Sequence, residues 1–317
     1  MEPLVSVIIP AYNKSQLTVK TVDSVLAQTY RNIEIIVVDD GSTDDTGLLL
    51  GAFTDKIKYV YKKNGGACSA RNLGLRQAGG AYISFLDCDD LYEPQKIQRC
   101  VEYLEKNGRF GFVHTAAYFI DEKDQVIGTY DHPKSQRTGL VASELIMGNF
   151  ICNSTAVIRK RCLDKVGGFD ETIFPPADWD LWLRLSERFE VGYLDQPLTK
   201  YRVTDNYTFR YLERSKADEQ KVVEKFFARN RQWTDLAGKA WSRFHFRYAQ
   251  CYLLKDDSKH FQQEFLLAFK RNPLNGKAWL MLAYFFIAKE NLKAQLRNKI
   301  LRYPPQAQKL SFGLTGL

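Results

Sequence analysis

Four short apolar runs, VSVII (5–9), IEIIVV (33–38), IKYVY (57–61) and AYISFLD (81–87), alternate with stretches whose apolar residues recur at helical spacing. Runs this short and rich in Val and Ile read as strands. Between them, SQLTVKTVDSVLAQ (15–28) places Val22, Val25 and Leu26 on one helical face, and ACSARNLGLRQA (67–78) is a second helix. Strands spaced by helices imply a mostly parallel sheet covered on both faces. In such a sheet a ligand sits beyond the carboxyl ends of the strands. The polar clusters AYN, DDGSTD and DCDD follow the first, second and fourth strands and all fall at that edge.

The last of these clusters is the most demanding. Asp87, Asp89 and Asp90 crowd three carboxylates into four residues at the end of an apolar strand. Such charge repels itself unless a cation or a solvated loop absorbs it. Asp39 and Asp40 have a plainer reading as caps of the turn GSTDDT. Gly65 and Gly66 suit a tight turn, and GGACSARN has no P-loop lysine. Downstream, the Gly/Pro-rich loop GGFDETIFPP leads into the amphipathic helix ADWDLWLRL. Asp178 can serve there as a helix N-cap, a reactive carboxylate, or both. Asp180, two positions on, faces elsewhere, and Trp179 and Trp182 are core or pocket wall. His114, His132, His245 and His260 are scattered without metal-ligand spacing and are expected to be structural or exposed.

The middle of the chain changes character. GFVHTAAYFIDEKDQVIGTYD predicts two strands around a polar turn, and NSTAVI (153–158) another strand. Beyond about residue 212 the pattern is helical. GKAW occurs at 238–241 and again at 276–279, and the text around the second copy resembles a tetratricopeptide helix pair. A plain helical cap fits the same text. Net charge is +8 overall but uneven: residues 210–317 hold 21 basic against 9 acidic side chains, net +12, and the first 209 hold 24 against 28. An acidic front half excludes a protein that simply coats nucleic acid, while the basic tail should meet something anionic. Six cysteines without a C-x-x-C pair are expected to be reduced thiols of a cytosolic protein. MEPLVSVIIPAY has no basic leader, and no apolar run reaches the roughly 18 residues of a membrane span.

Six segments in order, VSVIIPAYN, VVDDGSTDDT, GGACSARNLGL, ISFLDCDD, GGFDE and ADWDLWLRL, resemble glycosyltransferase family 2 over residues 4 to about 203. The resemblance implies a GT-A fold: an α/β, mostly parallel, Rossmann-like sheet flanked by helices. Residues 1–210 would form the nucleotide-sugar-binding and catalytic domain and 211–317 a basic, all-helical extension. It implies an inverting enzyme of polysaccharide biosynthesis at the cell envelope. A sugar would pass from a nucleotide-diphosphate donor, UDP-sugar first, to a glycan or lipid-linked acceptor. Site roles follow residue by residue. Pro10 and Tyr12 border the nucleobase, and Asp40 accepts the ring N3–H with Asp39 beside it. Arg71 approaches the base or diphosphate and Asp87 the ribose. Asp89 binds Mg²⁺ or Mn²⁺, and Asp178 is the general base. Ala177 stands where the family often has Glu, and Thr204 where it often has a histidine after YR. The chemistry needs this set: a hard cation offsets charge growing on the β-phosphate, and a carboxylate takes the acceptor's proton. The expected location is cytoplasmic, with peripheral contact at the inner membrane face through the basic tail. A catalytically inactive relative acting as a scaffold is the competing reading, and a nucleotidyltransferase would show a glycine-rich first loop that PAYNKSQ lacks.

Overall fold

β1 (Val5–Ala11) is buried at all seven positions, as a strand covered on both faces must be. It pairs in parallel with β2 (Ile33–Asp39) and β4 (Tyr82–Phe85), and β2 carries β3 (Lys58–Tyr61), also parallel. The computed structural model describes residues 2–130, 136–203 and 211–273. Helices α1 (Ser15–Leu26), α2 (Thr46–Leu50) and α3 (Ala67–Gln77) make the crossovers. α3 lies so near β1 that a Cβ at Gly74 would stand 2.4 Å from Cγ2 of Ile8. Val22 and Val25 of α1 join Val5, Val7, Ile9, Ile35 and Val37 in the core.

The parallel expectation holds for these four strands, and the sheet becomes mixed beyond them. Its order is β3-β2-β1-β4-β8-β6-β9-β5, with β7 beside β6. β8 (Val157–Arg159) runs antiparallel to both β4 and β6 (Phe110–Ile120). β7 (Val126–Tyr130) forms a hairpin with β6, closed by a turn in which Asp124 takes φ 65°. β9 (Glu190–Arg202) pairs in parallel with β6 and antiparallel with β5 (Leu91–Tyr92). Helices α4 (Lys96–Lys106), α6 (Lys160–Val166) and α7 (Ala177–Ser186) complete this half. The strand expected over 153–158 begins only at Val157, because Asn153–Thr155 is a 3-10 turn. Its polar side chains are drawn to the carboxylates described below.

By internal contacts the chain divides into a unit of Met1–Val141 with Ile151–Val203, and one of Ala142–Phe150 with Thr204–Leu317. The second unit contains α5 (Ala142–Leu145), α8 (Leu212–Arg229), α9 (Thr234–Leu254) and α10 (Ser258–Arg271). Leu212, Phe244, Tyr248, Tyr252, Phe261 and Phe265 form its apolar centre. Glu264, buried there, accepts from Lys216 at 2.6 Å and pairs with His245 at 2.7 Å. The first GKAW lies in α9, where Gly238 lets the helix approach the Arg271 carbonyl: a Cβ would stand 2.8 Å from it. The second GKAW, most of the tetratricopeptide-like text, Thr204 and His132 lie outside the described residues. Among the described residues no helix is long and apolar enough to cross a membrane.

Candidate functional site

Three loops meet at the carboxyl edge of β1, β2 and β4. The first is bent at Asn13, whose φ of 48° is left-handed, a conformation Asn tolerates better than most residues. Asn13 ties it to the second loop, accepting from the Thr43 N–H at 2.8 Å and donating its own N–H to Ser42 Oγ at 3.1 Å. The Ser15 N–H adds a bond to Asp44 at 3.0 Å. Pro10 is buried in β1 opposite Val38, while Tyr12 just beyond it is 47 % exposed. A ring in that position can lie against a flat ligand.

Asp39 and Asp40 divide the work at the end of β2. Asp39 accepts from the Ser42 N–H at 2.8 Å and from the Tyr59 hydroxyl at 2.6 Å, so it holds the turn. Asp40 Oδ1 accepts from Lys62 Nζ at 2.5 Å and the Gly65 N–H at 2.9 Å, and Oδ2 accepts from the Gly66 N–H at 2.7 Å. Gly66 has φ 90° and immediately precedes α3, so the Asp40 carboxylate sits at that helix's positive end. The tight glycine turn expected from the sequence is therefore also the cradle of Asp40.

At the end of β4 each carboxylate has its own answer to the crowding of charge. Asp87 accepts from Arg71 at 2.5 Å and from Asn153 at 3.1 Å, with Arg71 also stacked 5.2 Å from the Phe169 ring centre. Asp89 is paired with the Lys14 ammonium. Asp90 is buried and accepts from Ser154 Oγ at 2.5 Å and the Arg202 N–H at 2.8 Å. Burial, with the charges of Asp89 and Asp87 beside it, pushes the Asp90 carboxyl well above the usual range. Arg202 then clamps the turn: its guanidinium donates to the carbonyls of Asp89 at 2.8 Å and Asp121 at 2.5 Å, and pairs with Asp124.

Asp178 lies in the first turn of α7, after the N-cap Pro176, and accepts from the Trp179 N–H at 2.8 Å. The N-cap reading is corrected accordingly. Its charge is felt by Arg71, Cys68 and Cys152, and that of Asp87 by Arg71 and Cys152, so the two carboxylates share one neighbourhood. Asp180 faces elsewhere: it is buried against Arg184 Nε at 2.8 Å. Trp179 and Trp182 are both buried, with Trp182 stacked 5.9 Å from Phe112, which makes them core. All six cysteines are buried single thiols. Burial pushes Cys68 up to about 11 and Cys88 to about 12, so neither is a thiolate nucleophile at neutral pH. Lys14, Lys62, Asn153, Ser154, Phe169 and Arg202 were not singled out from the sequence. Lys14 (in PAYNKSQ), Asn153 and Ser154 (in NSTAVI), Phe169 (in GGFDE) and Arg202 (in YR) lay in stretches quoted above without a role assigned to them, and Lys62 lay outside all of those stretches.

Among the described residues no group of three or more His, Cys, Asp or Glu side chains could hold a metal. A divalent cation that draws most of its ligands from phosphate and water needs only one or two carboxylates. Asp89 fits that requirement, since its carboxylate already holds a cationic group, Lys14. Asp87, held by Arg71 and Asn153, is the neighbouring oxygen donor.

A parallel α/β half with acidic strand ends, continued by a mixed sheet and an acidic helix start, is the kind of frame in which a ligand sits beyond the carboxyl ends of the strands. Residues 6–167 match the model of glycosyl transferase family 2, and the chain belongs to that family. An uncharacterized glycosyltransferase of Rickettsia prowazekii is 36 % identical over 220 residues, covering 67 % of this chain and 69 % of that one. Its counterpart in Rickettsia typhi is 38 % identical over 65 % of this chain and 66 % of its own length. Chondroitin synthase of Escherichia coli is 33 % identical over 72 % of this chain, which spans 33 % of that longer protein. Among solved structures, a Pyrobaculum calidifontis mannosyltransferase in complex with GDP-Man and Mn²⁺ aligns with TM-score 0.63 and 17 % identity, over 98 % of this chain and 86 % of its own. S. aureus TarS 1–349 in complex with UDP-GlcNAc aligns with TM-score 0.58 and 17 % identity, over 85 % and 92 %. Both likenesses support the GT-A fold.

Proposed function

We propose that this chain is an inverting glycosyltransferase that moves a sugar from a UDP-sugar to a glycan or lipid-linked acceptor in envelope polysaccharide synthesis. The observation that carries the reading is that Asp40, Asp87 and Asp89 follow the carboxyl ends of β2 and β4, and that Arg71, the partner of Asp87, also feels the charge of Asp178. Asp40 favours a pyrimidine. Both acceptor directions of its Oδ1 are taken by Lys62 and Gly65, and Oδ2, holding Gly66, has one direction left. One remaining acceptor matches the single N3–H of uracil or thymine, whereas a guanine edge offers two adjacent donors. Tyr12 covers the base, with Pro10 in the strand beneath, and Asp39 fixes the turn that presents Asp40.

Bound Mg²⁺ or Mn²⁺ supplies the positive charge that the departing diphosphate needs, and Asp89, with Asp87 beside it, would hold the ion. Asp87, steadied by Arg71, faces the ribose. Asp178 stands at the amino end of α7, where the helix dipole favours the ionised form that a base requires. It takes the acceptor hydroxyl proton as attack develops on the face opposite the leaving group, which inverts the anomeric centre. UDP and UDP-GlcNAc complexes of TarS and the name chondroitin synthase support a sugar nucleotide and a polymeric acceptor. GDP-Man in the archaeal neighbour marks the competing donor. The catalytic domain is assigned to 1–210 and the basic helical region to 211–317. The net +12 of residues 210–317 suits peripheral attachment to an anionic inner membrane face.

A calorimetric screen of UDP-, dTDP- and GDP-sugars with Mn²⁺, followed by analysis of the product's anomeric configuration, tests the reading. Tighter GDP binding removes the role given to Asp40, and a retained configuration removes the mechanism. Absence of sugar turnover with every donor and acceptor class would leave the scaffold reading.

A further inference from the structure

Among the described residues, Arg202, Arg71, Lys62 and Lys14 bring cations to the acidic edge, and they differ in how firmly they are held. The Arg202 side chain is 1 % exposed and spread over three partners. Arg71 is locked between Asp87 and the Phe169 ring. Lys62 shares its ammonium between Asp40 and the Lys63 carbonyl at 2.7 Å. Lys14 is different: its side chain is 40 % exposed, and its one described polar partner is Oδ2 of Asp89. Its main chain is nevertheless fixed. Thr18 donates to the Lys14 carbonyl from both its N–H (2.9 Å) and its hydroxyl (2.8 Å). Asn13 and Ser15 on either side are bonded to the second loop. A four-carbon stem thus pivots from an anchored base, with its charge resting on the carboxylate assigned to the metal.

We propose that Lys14 is a displaceable counter-cation for Asp89, holding that carboxylate in the donor-free protein and moving to the donor's diphosphate when a divalent cation replaces it. The inference rests on the metal role given to Asp89 under the proposed function. The same oxygen cannot serve an ammonium and a divalent ion together without loss to one of them. An ammonium is a compact charge on a flexible stem that readily changes partners. Once released, it stays within the length of its own side chain of the loop where β1 ends, the edge at which phosphates are bound in such sheets. The exchange keeps the charge of Asp87, Asp89 and Asp90 balanced both before and after the donor arrives. It also makes metal and donor bind better together than apart, a coupling that must be reciprocal.

The experiment titrates Mn²⁺ by electron paramagnetic resonance, and UDP by calorimetry with and without Mn²⁺. It uses the full chain and its Lys14→Gln, Lys14→Arg and Asp89→Asn variants, with circular dichroism to confirm folding. Lys14→Gln should bind Mn²⁺ alone roughly two- to fivefold more tightly, the range a partly exposed ion pair can withhold. The gain in UDP affinity on adding Mn²⁺ should be smaller than in the parent, and Lys14→Arg should resemble the parent in both. Unchanged or weaker Mn²⁺ binding by Lys14→Gln overturns the proposal, as does an undiminished gain in UDP affinity on adding Mn²⁺. Loss of Mn²⁺ binding in Asp89→Asn with no effect of Lys14→Gln sinks this inference alone, whereas intact Mn²⁺ binding in Asp89→Asn removes the metal role of Asp89 itself.

Discussion

Two aspartates two residues apart on α7 face different fates, and substitution should separate them. Asp178→Asn keeps size and can still accept from the Trp179 N–H, but it takes no proton. UDP and Mn²⁺ binding should persist while the transfer rate falls by about 10²- to 10⁴-fold; a rate equal to the parent's would move the base elsewhere. Asp180→Asn instead breaks a buried pair with Arg184, whose guanidinium also holds the Val166 and Gly168 carbonyls at 2.7 Å. It should cost stability by about 3 kcal/mol in urea unfolding, with any residual folded enzyme keeping its donor affinity. Arg202→Leu removes the clamp on the Asp89 carbonyl, so Mn²⁺-dependent UDP binding should weaken by roughly 10- to 100-fold, as when an outer partner of a metal ligand is lost. Equal affinity in calorimetry would show that the turn holds its shape unaided. The acidic members of the site were legible because carboxylates collect after apolar runs. Of their cationic partners Arg71 was named through the resemblance, and Lys14 and Arg202 were not, since Lys14 meets Asp89, and Arg202 its carbonyl, across 75 and 113 residues of chain.

For elements, legibility followed burial. β1, β2 and β4 are mostly apolar because both faces are covered, and their runs stand out in the sequence. β5 has two residues, and β9 alternates irregularly around Pro197, where its register with β6 shifts. Neither presents a clean period of two. The 3-10 turn at 153–155 displaced a predicted strand because Asn153 and Ser154 bond carboxylates rather than a ladder. Helix packing yields a sharp test at Gly74. Alanine there gains up to about 1 kcal/mol of helix propensity, yet its Cβ would stand 2.4 Å from Ile8, well inside contact distance. Overpacking of this kind costs about 1–3 kcal/mol. Gly74→Ala should therefore lower the urea midpoint, and a raised midpoint would mean that α3 can lift from the sheet freely.

Over the whole molecule, the parallel front half and the helical rear were legible, and the mixed continuation of the sheet was not, because its strands pair with distant partners. Stability should carry an acid limb set in the core. His114 is fully buried; burial, then the nearby Lys96 charge, lowers it from its ordinary value to about 3. The unfolded chain binds that proton near pH 6.5, so stability is full above pH 6.5 and declines toward pH 3, by up to about 1.4 kcal/mol per pH unit. Urea unfolding at pH 7 and pH 5 should show the loss, and His114→Gln should flatten it. The basic rear is tested by liposome flotation: salt-sensitive binding to anionic vesicles should vanish without residues 211–317, and equal flotation of both forms would dismiss membrane attachment.

β9 lies between β6 and β5, two strands that precede it in the chain by about 70 residues or more. A nascent chain emerging from the ribosome therefore displays β6 and β5 with open hydrogen-bonding edges until residues 190–202 arrive to fill the slot. Such late closure favours slow folding and assistance by chaperones. It also orders events usefully. Arg202, which fastens the Asp89 turn, is the final residue of the inserted strand. A ribosome-bound fragment ending before it would lack that fastening, so the Asp89 turn is the last part of the sheet edge to be secured.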